Sequence, residues 1–503
     1  MKIKYLVLLG LVGTTVLSSC KKGFLDTEPS EFTSPEQLAA AAAQDPKVLL
    51  GSIAGLYTTM FTVGVGGTTG HDDFGQKGID IYTDMLAADM VLGGVAYGWY
   101  SNLARLQSTT DFTRNDVYVP WRYYYRQIFG ANTVIDVLTA KLGVGVAPTN
   151  ATDRATMGQA RAMRAYGYFY LTQLYAKEYG DGTAKILPIY TTADADSINR
   201  PKATAKQVWD LMILDLDSAV AQLSGFTRTA KDQVDRNVAK GLLCYALSSR
   251  GMPADWTRVQ TLSQEIIAAY PKTDSTQLFF NGTNAASAGF NSVSAPAWMW
   301  GVDITLAQGL DLISWWGQVD QTSYSYAWAG DPKRIDKRLY DSIKTSDVRR
   351  LQFSAAPGLQ PFNKFWAPAR TSGGQRQIVT DLVYMRSDEF YLLNAEAKAR
   401  NGQDLDARTA LKSFLANRYR TAAALDYIDG LSGQALLDEI YLQTRIELWG
   451  EGKSYLALKR NKATVNRGSN HLFEAGNSFP YNDPKLTMVI PQAEVLNNPN
   501  LNL

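Results

Sequence analysis

The chain has 503 residues, with 50 Lys and Arg against 48 Asp and Glu, two His and two Cys. A net charge near zero supplies no basic surface for nucleic acid, and two cysteines exclude a disulfide-stapled scaffold or a cysteine-based metal centre. A chain of this length buries a large core without such staples.

In chain order, residues 1–20 read MKIKYLVLLGLVGTTVLSSC. A basic start at Lys2 and Lys4 precedes a mostly apolar run, Tyr5 to Leu17, too short to span a bilayer and suited to a secretory signal. Leu17-Ser18-Ser19-Cys20 has the pattern of a bacterial lipobox, in which the cysteine thiol takes a diacylglycerol and becomes the first mature residue. Residues 1–19 are therefore expected to be a signal peptide and Cys20 a lipid anchor, whose acyl chains hold the protein to a membrane. Residues 21–46, with Pro29, Pro35 and Pro46, are expected to form a spacer.

From Val48 to Ala104 the only basic residue is Lys77, while Tyr82, Tyr97, Trp99 and Tyr100 stand among Asp72, Asp73, Asp84, Asp89 and Asn102. His71, in "GGTTGHDDFG", is expected to be a loop residue. The Gly64-Val65-Gly66-Gly67 stretch lacks the lysine of a phosphate-binding loop and the third glycine of a dinucleotide loop.

Helical patterns dominate from there. Residues 155–178 place Met163, Gly167, Tyr170 and Leu174 on one seam, and Ala160 and Gly167 would admit a neighbouring helix at close range. Further helices are expected over 206–223, 235–251, 383–400 and 434–452, the third stopping before Asn401-Gly402. Cys244 falls on an apolar helical face and is expected to be a small core residue. "KILPIYTT" is the one strand signal noted. Paired helices with Ala/Gly seams predict a mainly α fold of tetratricopeptide-like helix pairs beside an irregular, loop-rich region. The expected regions are 20–230 with helix pairs, 231–332 with a helical segment and an aromatic insertion, and 333–503.

One stretch breaks the pattern. Thr273 to Pro332 contains no Lys or Arg, yet it holds Trp298, Trp300, Trp315, Trp316 and Trp328 together with Tyr324 and Tyr326. Flat apolar rings beside Asp and Asn suit a sugar, which has a C–H face and a rim of hydroxyls. Absence of basic residues argues against phosphate, sulfate or single-stranded nucleic acid as the main ligand. The expected glycan-binding residues are Asp73, Tyr82, Asp84, Trp99, Tyr100, Asn102, Trp300, Trp315, Trp316 and Tyr324, with Trp99 and Trp315 foremost.

Catalytic parts are hard to assemble. The histidines, 71 and 471, form no H-E-x-x-H, and no serine sits in a G-x-S-x-G elbow. The expected list of catalytic residues, metal ligands and cofactors is empty. Two alternatives stay open: peptide or other nutrient capture with the tryptophans in the core or an interface, and a glycoside hydrolase built on the carboxylates Asp73 and Asp84.

Five segments in order resemble the SusD/RagB lipoproteins of the Bacteroidota. "CKKGFLDTEP" is similar to the family's lipid-carrying start. "ARAMRAYGYFYLTQLYAKEYGDG" and "MRSDEFYLLNAEAKAR", through Arg386, Glu389, Leu392, Ala395, Glu396 and Ala397, resemble two family helices. "RIELWGEGKSYLALKR" is similar to a third, with Ala457 where the family places Asp, and "IPQAEVLNNPNL" to its ending. Arg386, Glu389, Arg445, Glu447 and Glu451 are read as buried or half-buried ion pairs joining helices rather than as a site. The resemblance implies a surface-exposed protein lipid-anchored to the outer membrane. There it would close over a SusC-like TonB-dependent transporter and hand it oligosaccharide, with ligand residues in loops that vary between members.

Overall fold

The computed structural model describes residues 35–45, 47–180, 182–194, 198–284, 288–355, 358–374 and 377–502. The expected signal segment and the lipid acceptor Cys20 lie outside the described residues. The chain divides into two compact units, Met1–Leu49 and Leu50–Leu503. The described part of the first is chiefly the helix Pro35–Gln44; the elements below belong to the second.

The second unit is mainly α, a stack of helices packed in series. Ala151–Tyr175 buries Met163, Tyr170 and Leu174 and lies against Asn115–Leu142. Gly167 sets their separation, because a Cβ there would come within 2.8 Å of Ile128 and 3.1 Å of the Tyr124 carbonyl oxygen. On its other side Ala151–Tyr175 packs on Ala205–Gln222, and the series continues through Arg236–Arg250 and Pro253–Ala269. Pro253–Ala269 meets Asp388–Arg400, which is flanked by Asp404–Leu415 and Gly433–Glu447. Ser454–Asn461 then packs back onto Gln76–Leu86 and Arg236–Arg250.

Local chemistry sets the ends. The Asn150 side chain accepts from the N–H groups of Thr152 and Asp153, and Thr204 with Gln207 forms a reciprocal cap. Gly251, at φ 69°, closes the helix that carries the buried Cys244.

The expected ion pairs lie at the centre of the C-terminal part. Arg349, Arg386 and Arg418 converge on Glu447 at 3.0, 2.9 and 2.9 Å. Glu451 takes Arg386 at 2.7 Å and Lys364 at 3.0 Å. Burial by itself would raise the Glu447 carboxyl, but the guanidinium groups of Arg418, Arg386 and Arg349 hold it well below the usual carboxylate range. Arg445 reaches instead to Asp89, and Glu389 accepts from the Arg386 backbone N–H and the Tyr245 hydroxyl.

Strand content departs from expectation. Besides Lys185–Pro188, which pairs with Lys202–Thr204, the described residues contain three further two-stranded antiparallel ladders. Leu382–Arg386, expected to open a helix over 383–400, is a fully buried strand paired with Trp298–Val302, and the helix begins at Asp388. Extended backbone there lets the Arg386 side chain reach Glu447 and Glu451, a long-range demand that helical periodicity does not register. Met90–Leu92 pairs with Lys333–Ile335 and so brings the two basic-poor stretches side by side.

Candidate functional site

Three loops meet beyond the Met90–Leu92/Lys333–Ile335 ladder, each shaped by its own short-range chemistry. In the first, residues 64–75, the buried Asp73 carboxylate accepts from the Gly66 N–H at 2.8 Å and from the Thr68 N–H and hydroxyl at 3.0 Å each. The turn it braces presents His71. In the second, Gly93 donates to the Pro332 carbonyl at 2.7 Å. Gly94 lies so close that a Cβ would sit 1.9 Å from the Gly330 oxygen, a contact only glycine tolerates. In the third, Asp320 accepts from the N–H groups of Thr322 and Ser323 and pairs with Arg370 at 3.0 Å.

A buried polar knot ties these loops together. The Asp331 carboxylate accepts from the backbone N–H of Tyr97 at 3.2 Å and of Gly98 at 3.0 Å. Lys333 donates to Gln318 Oε1 at 2.8 Å and to the Asp331 carbonyl at 3.2 Å, and Gln318 donates to the His71 carbonyl at 2.9 Å. Burial pushes the Lys333 ammonium down to about 7, against the pull of Asp331 and Asp72. Burial and the neighbouring Asp116 push the Asp72 carboxyl up to about 6, although Tyr82 donates to it at 2.9 Å.

Above the knot the rings assemble. His71 and Trp99 stack with centroids 5.0 Å apart and planes 3° from parallel. Tyr326 meets His71, Tyr97 and Trp99 edge-on at 5.7, 5.2 and 6.2 Å. Two residues to either side of Tyr326, Tyr324 and Trp328 pack on each other at 5.8 Å, with Trp328 resting against Gly373. Tyr97 is 56% exposed and Trp328 48%, while Trp99 and Tyr324 are half-buried. The result is an open aromatic shelf with polar backbone at its rim. Asn102, half-buried one turn after Trp99, makes no side-chain hydrogen bond among the described residues.

Of the expected site residues, Trp99 and Tyr324 lie on this shelf and Asn102 follows it in sequence. The others are corrected. Trp300, Trp315 and Trp316 are 1, 2 and 1% exposed. The Trp300 indole donates to the Asp232 carbonyl at 2.7 Å and the Trp316 indole to the Thr380 carbonyl at 3.0 Å, while Trp315 packs on Phe365 at 5.3 Å. Tyr82 and Tyr100 are buried edge to face beneath the shelf at 5.4 Å. Asp73 braces its own turn. Asp84 is buried against the Gly452 N–H at 3.2 Å, and burial with the neighbouring Asp89 pushes it up to about 8. The carboxylate pair Asp73 and Asp84 therefore faces no open surface, and the hydrolase alternative loses its residues.

The physical cause is the irregular backbone between 273 and 332. With few regular helices to interdigitate, large rings fill that part of the core, and cations from outside the stretch (Lys333, Arg370, Arg386) reach in to its polar groups. Sequence reasoning left His71, Tyr97, Tyr326 and Trp328 out of the site. The signal that finds them is ring alternation in glycine- and serine-rich loops: Tyr97-x-Trp99 and Tyr324-x-Tyr326-x-Trp328.

No curated protein matches the chain. Among solved structures, a SusD-like carbohydrate binding protein from Bacteroides vulgatus is 24% identical, with a TM-score of 0.73 over 90% of this chain and 96% of that one. A SusD superfamily protein from Bacteroides thetaiotaomicron is 17% identical (TM-score 0.69, 90% and 98% covered). Surface glycan-binding protein A from Bacteroides uniformis is 16% identical (TM-score 0.64, 91% and 98% covered). A family described as starch-binding and associating with the outer membrane matches residues 76–243, and the SusD family matches residues 352–502. With the helix stack and both family matches in agreement, the chain belongs to the SusD/RagB family.

Proposed function

We propose that this chain is a cell-surface glycan-binding protein that cleaves no bond and delivers neutral oligosaccharide to a SusC-like TonB-dependent transporter in the outer membrane. The observation that carries the reading is the shelf: rings from three separate loops meet at one open surface, with His71 stacked on one face of Trp99, its plane 3° from parallel. Stacked rings offer area to the C–H face of a sugar, and each aromatic contact contributes about 0.5–1.5 kcal/mol beyond its buried area. The family description and the carbohydrate-binding neighbours of the same fold support the ligand class. Anchoring through Cys20 fits the lipobox, and no helix among the described residues is long and apolar enough to cross a membrane. The binding residues in this reading are Trp99, Tyr97, Tyr324 and Trp328, with His71 backing Trp99, the buried Tyr326 bracing these rings edge-on and Asn102 offering its amide.

Affinity electrophoresis against a panel of neutral polysaccharides tests it. One polymer should retard the wild type, and Trp99→Ala and Trp328→Ala should each abolish or sharply reduce retardation while the protein stays folded. Unchanged retardation in both variants would sink the shelf as the binding surface. Release of reducing ends from the retarding polymer would sink the non-enzymatic reading.

A further inference from the structure

A second concave surface, sharing no lining residue with the shelf, opens among the C-terminal ends of Ala151–Tyr175, Arg236–Arg250, Asp388–Arg400 and Ser454–Asn461. It is a cleft of about 680 Å³, within the roughly 300–1,000 Å³ usual for small-molecule sites. Its wall carries Lys177, Arg250, Arg400, Lys459, Arg460 and Lys462, against Glu178 as its one carboxylate among the described residues. A chain with balanced charge thus concentrates cations at one hollow.

Some of that charge is already matched. Glu396, behind the wall, holds Arg400 and Arg460 at 2.9 Å each, and Asp255 holds Arg250 at 2.6 Å. The partial negative charge of helix C-termini also draws basic side chains here. Three lysines remain without a carboxylate among the described residues. Lys177 and Lys462 are exposed and make no side-chain hydrogen bond there. Lys459 is 3% exposed, and its ammonium donates to the carbonyls of Gln173 and Ala176. An ammonium has three N–H donors; two go to these carbonyls, and the third meets no further oxygen acceptor among the described residues, only the rings of Tyr179 and Tyr455 at 5.5 and 5.7 Å. Burial pushes this group down to about 7, against the pull of the Glu178 carboxylate. Beside it, Tyr179 and Tyr481 are half-buried and Trp256 backs Arg400, whose guanidinium lies 4.5 Å from the indole centroid.

We propose that this cleft is a second ligand site, taking a small hydroxylated anion whose carboxylate or phosphate is met by Lys459, Lys177 and Lys462. Its ligand differs in charge from the neutral glycan of the shelf, and the inference does not rest on the shelf's function. A uronic acid and a sugar phosphate share this chemistry.

Isothermal titration of the purified protein with glucuronate, glucose 1-phosphate, inorganic phosphate and glucose tests the assignment. At least one acid should bind, more weakly as salt is raised, and glucose should not. Lys177→Glu/Lys462→Glu, which alters two exposed side chains outside the packed core, should weaken the acid at least about tenfold with melting temperature and shelf binding unchanged. Lys459→Met examines the buried donor and should act in the same direction. Glucuronate without phosphate response identifies a uronate site, the reverse a phosphate site, and either supports the inference. It is overturned if no acid binds more tightly than about 10 mM, if glucose matches the acids, or if the double variant binds them as well as wild type.

Discussion

Trp99 and Trp315 stood as equals on composition, and the structure separates them into a half-buried ring on the shelf and a ring buried in the core. Trp315 is 2% exposed, packs edge-on against Phe365 and has the Lys77 ammonium 4.4 Å from its centroid. Its truncation to Ala leaves a cavity and costs about 3–5 kcal/mol. With an unfolding entropy of about 2.1 cal/mol/K per residue, a unit this long loses about 1 °C of melting temperature per kcal/mol, so Trp315→Ala should melt roughly 3–5 °C lower. Trp99 is half-buried, covered by His71 on one face. Its loss should barely move the melting temperature but remove one stacking contact of about 0.5–1.5 kcal/mol, roughly a 2- to 13-fold drop in affinity. Differential scanning fluorimetry and affinity electrophoresis on both variants give the four numbers required. A Trp315→Ala protein that melts like wild type yet loses retardation would refute the burial-based division. So would a Trp99→Ala protein that is destabilised and still binds.

Other expectations follow from the same contacts. Glu447→Ala leaves Arg349, Arg386 and Arg418 short of a shared counter-charge and should cost at least about 3–5 kcal/mol, read as a steep fall in soluble yield and denaturation midpoint. Because the Glu447 carboxyl is depressed in the folded state, its contribution is present above the unfolded value near 4.3 and is lost as pH falls towards the folded value. Asp84 runs the opposite way. Raised to about 8, it binds its proton in the folded state between about 4 and 8, so stability falls as pH climbs through that window; Asp84→Asn should raise the melting temperature at pH 8 and leave it unchanged near pH 4. Gly94→Ala, which drives a Cβ into the Gly330 oxygen, should displace Tyr97 and Trp99 and lower glycan affinity at least about tenfold; unaltered affinity would contradict the coupling of that loop to the shelf. Cys20→Ser should abolish palmitate labelling and shift the protein from the membrane to the soluble fraction.

Much of the frame was legible because its determinants are local. The seam through Met163, Gly167, Tyr170 and Leu174 is a property of one helix, and the Gly167 contact with Ile128 follows from the absence of a side chain. The stop at Asn401-Gly402 is equally local, with Arg400 ending its helix and Gly402 at φ 76°. Arg386, Glu447 and Glu451 were readable as members of buried ion pairs because buried charges need counter-charges, but not which would meet which, nor that Arg386 stands on a strand. The strand at Leu382–Arg386 was not, since what makes it extended lies at Trp298–Val302, some 80 residues away.

The amino-acid order by itself determined that the protein is a stack of helices with an aromatic, cation-poor stretch between Thr273 and Pro332. Propensity, period and charge are carried by each segment alone. Which rings face water was decided only by tertiary structure. An indole is chemically the same whether the Thr380 carbonyl accepts its N–H inside the core, as for Trp316, or Gly373 lets it lie across the surface, as for Trp328. That choice depends on which distant backbone arrives beside it, and here it was made by the Met90–Leu92/Lys333–Ile335 ladder and the Asp331–Lys333–Gln318 knot that draw three loops to one edge.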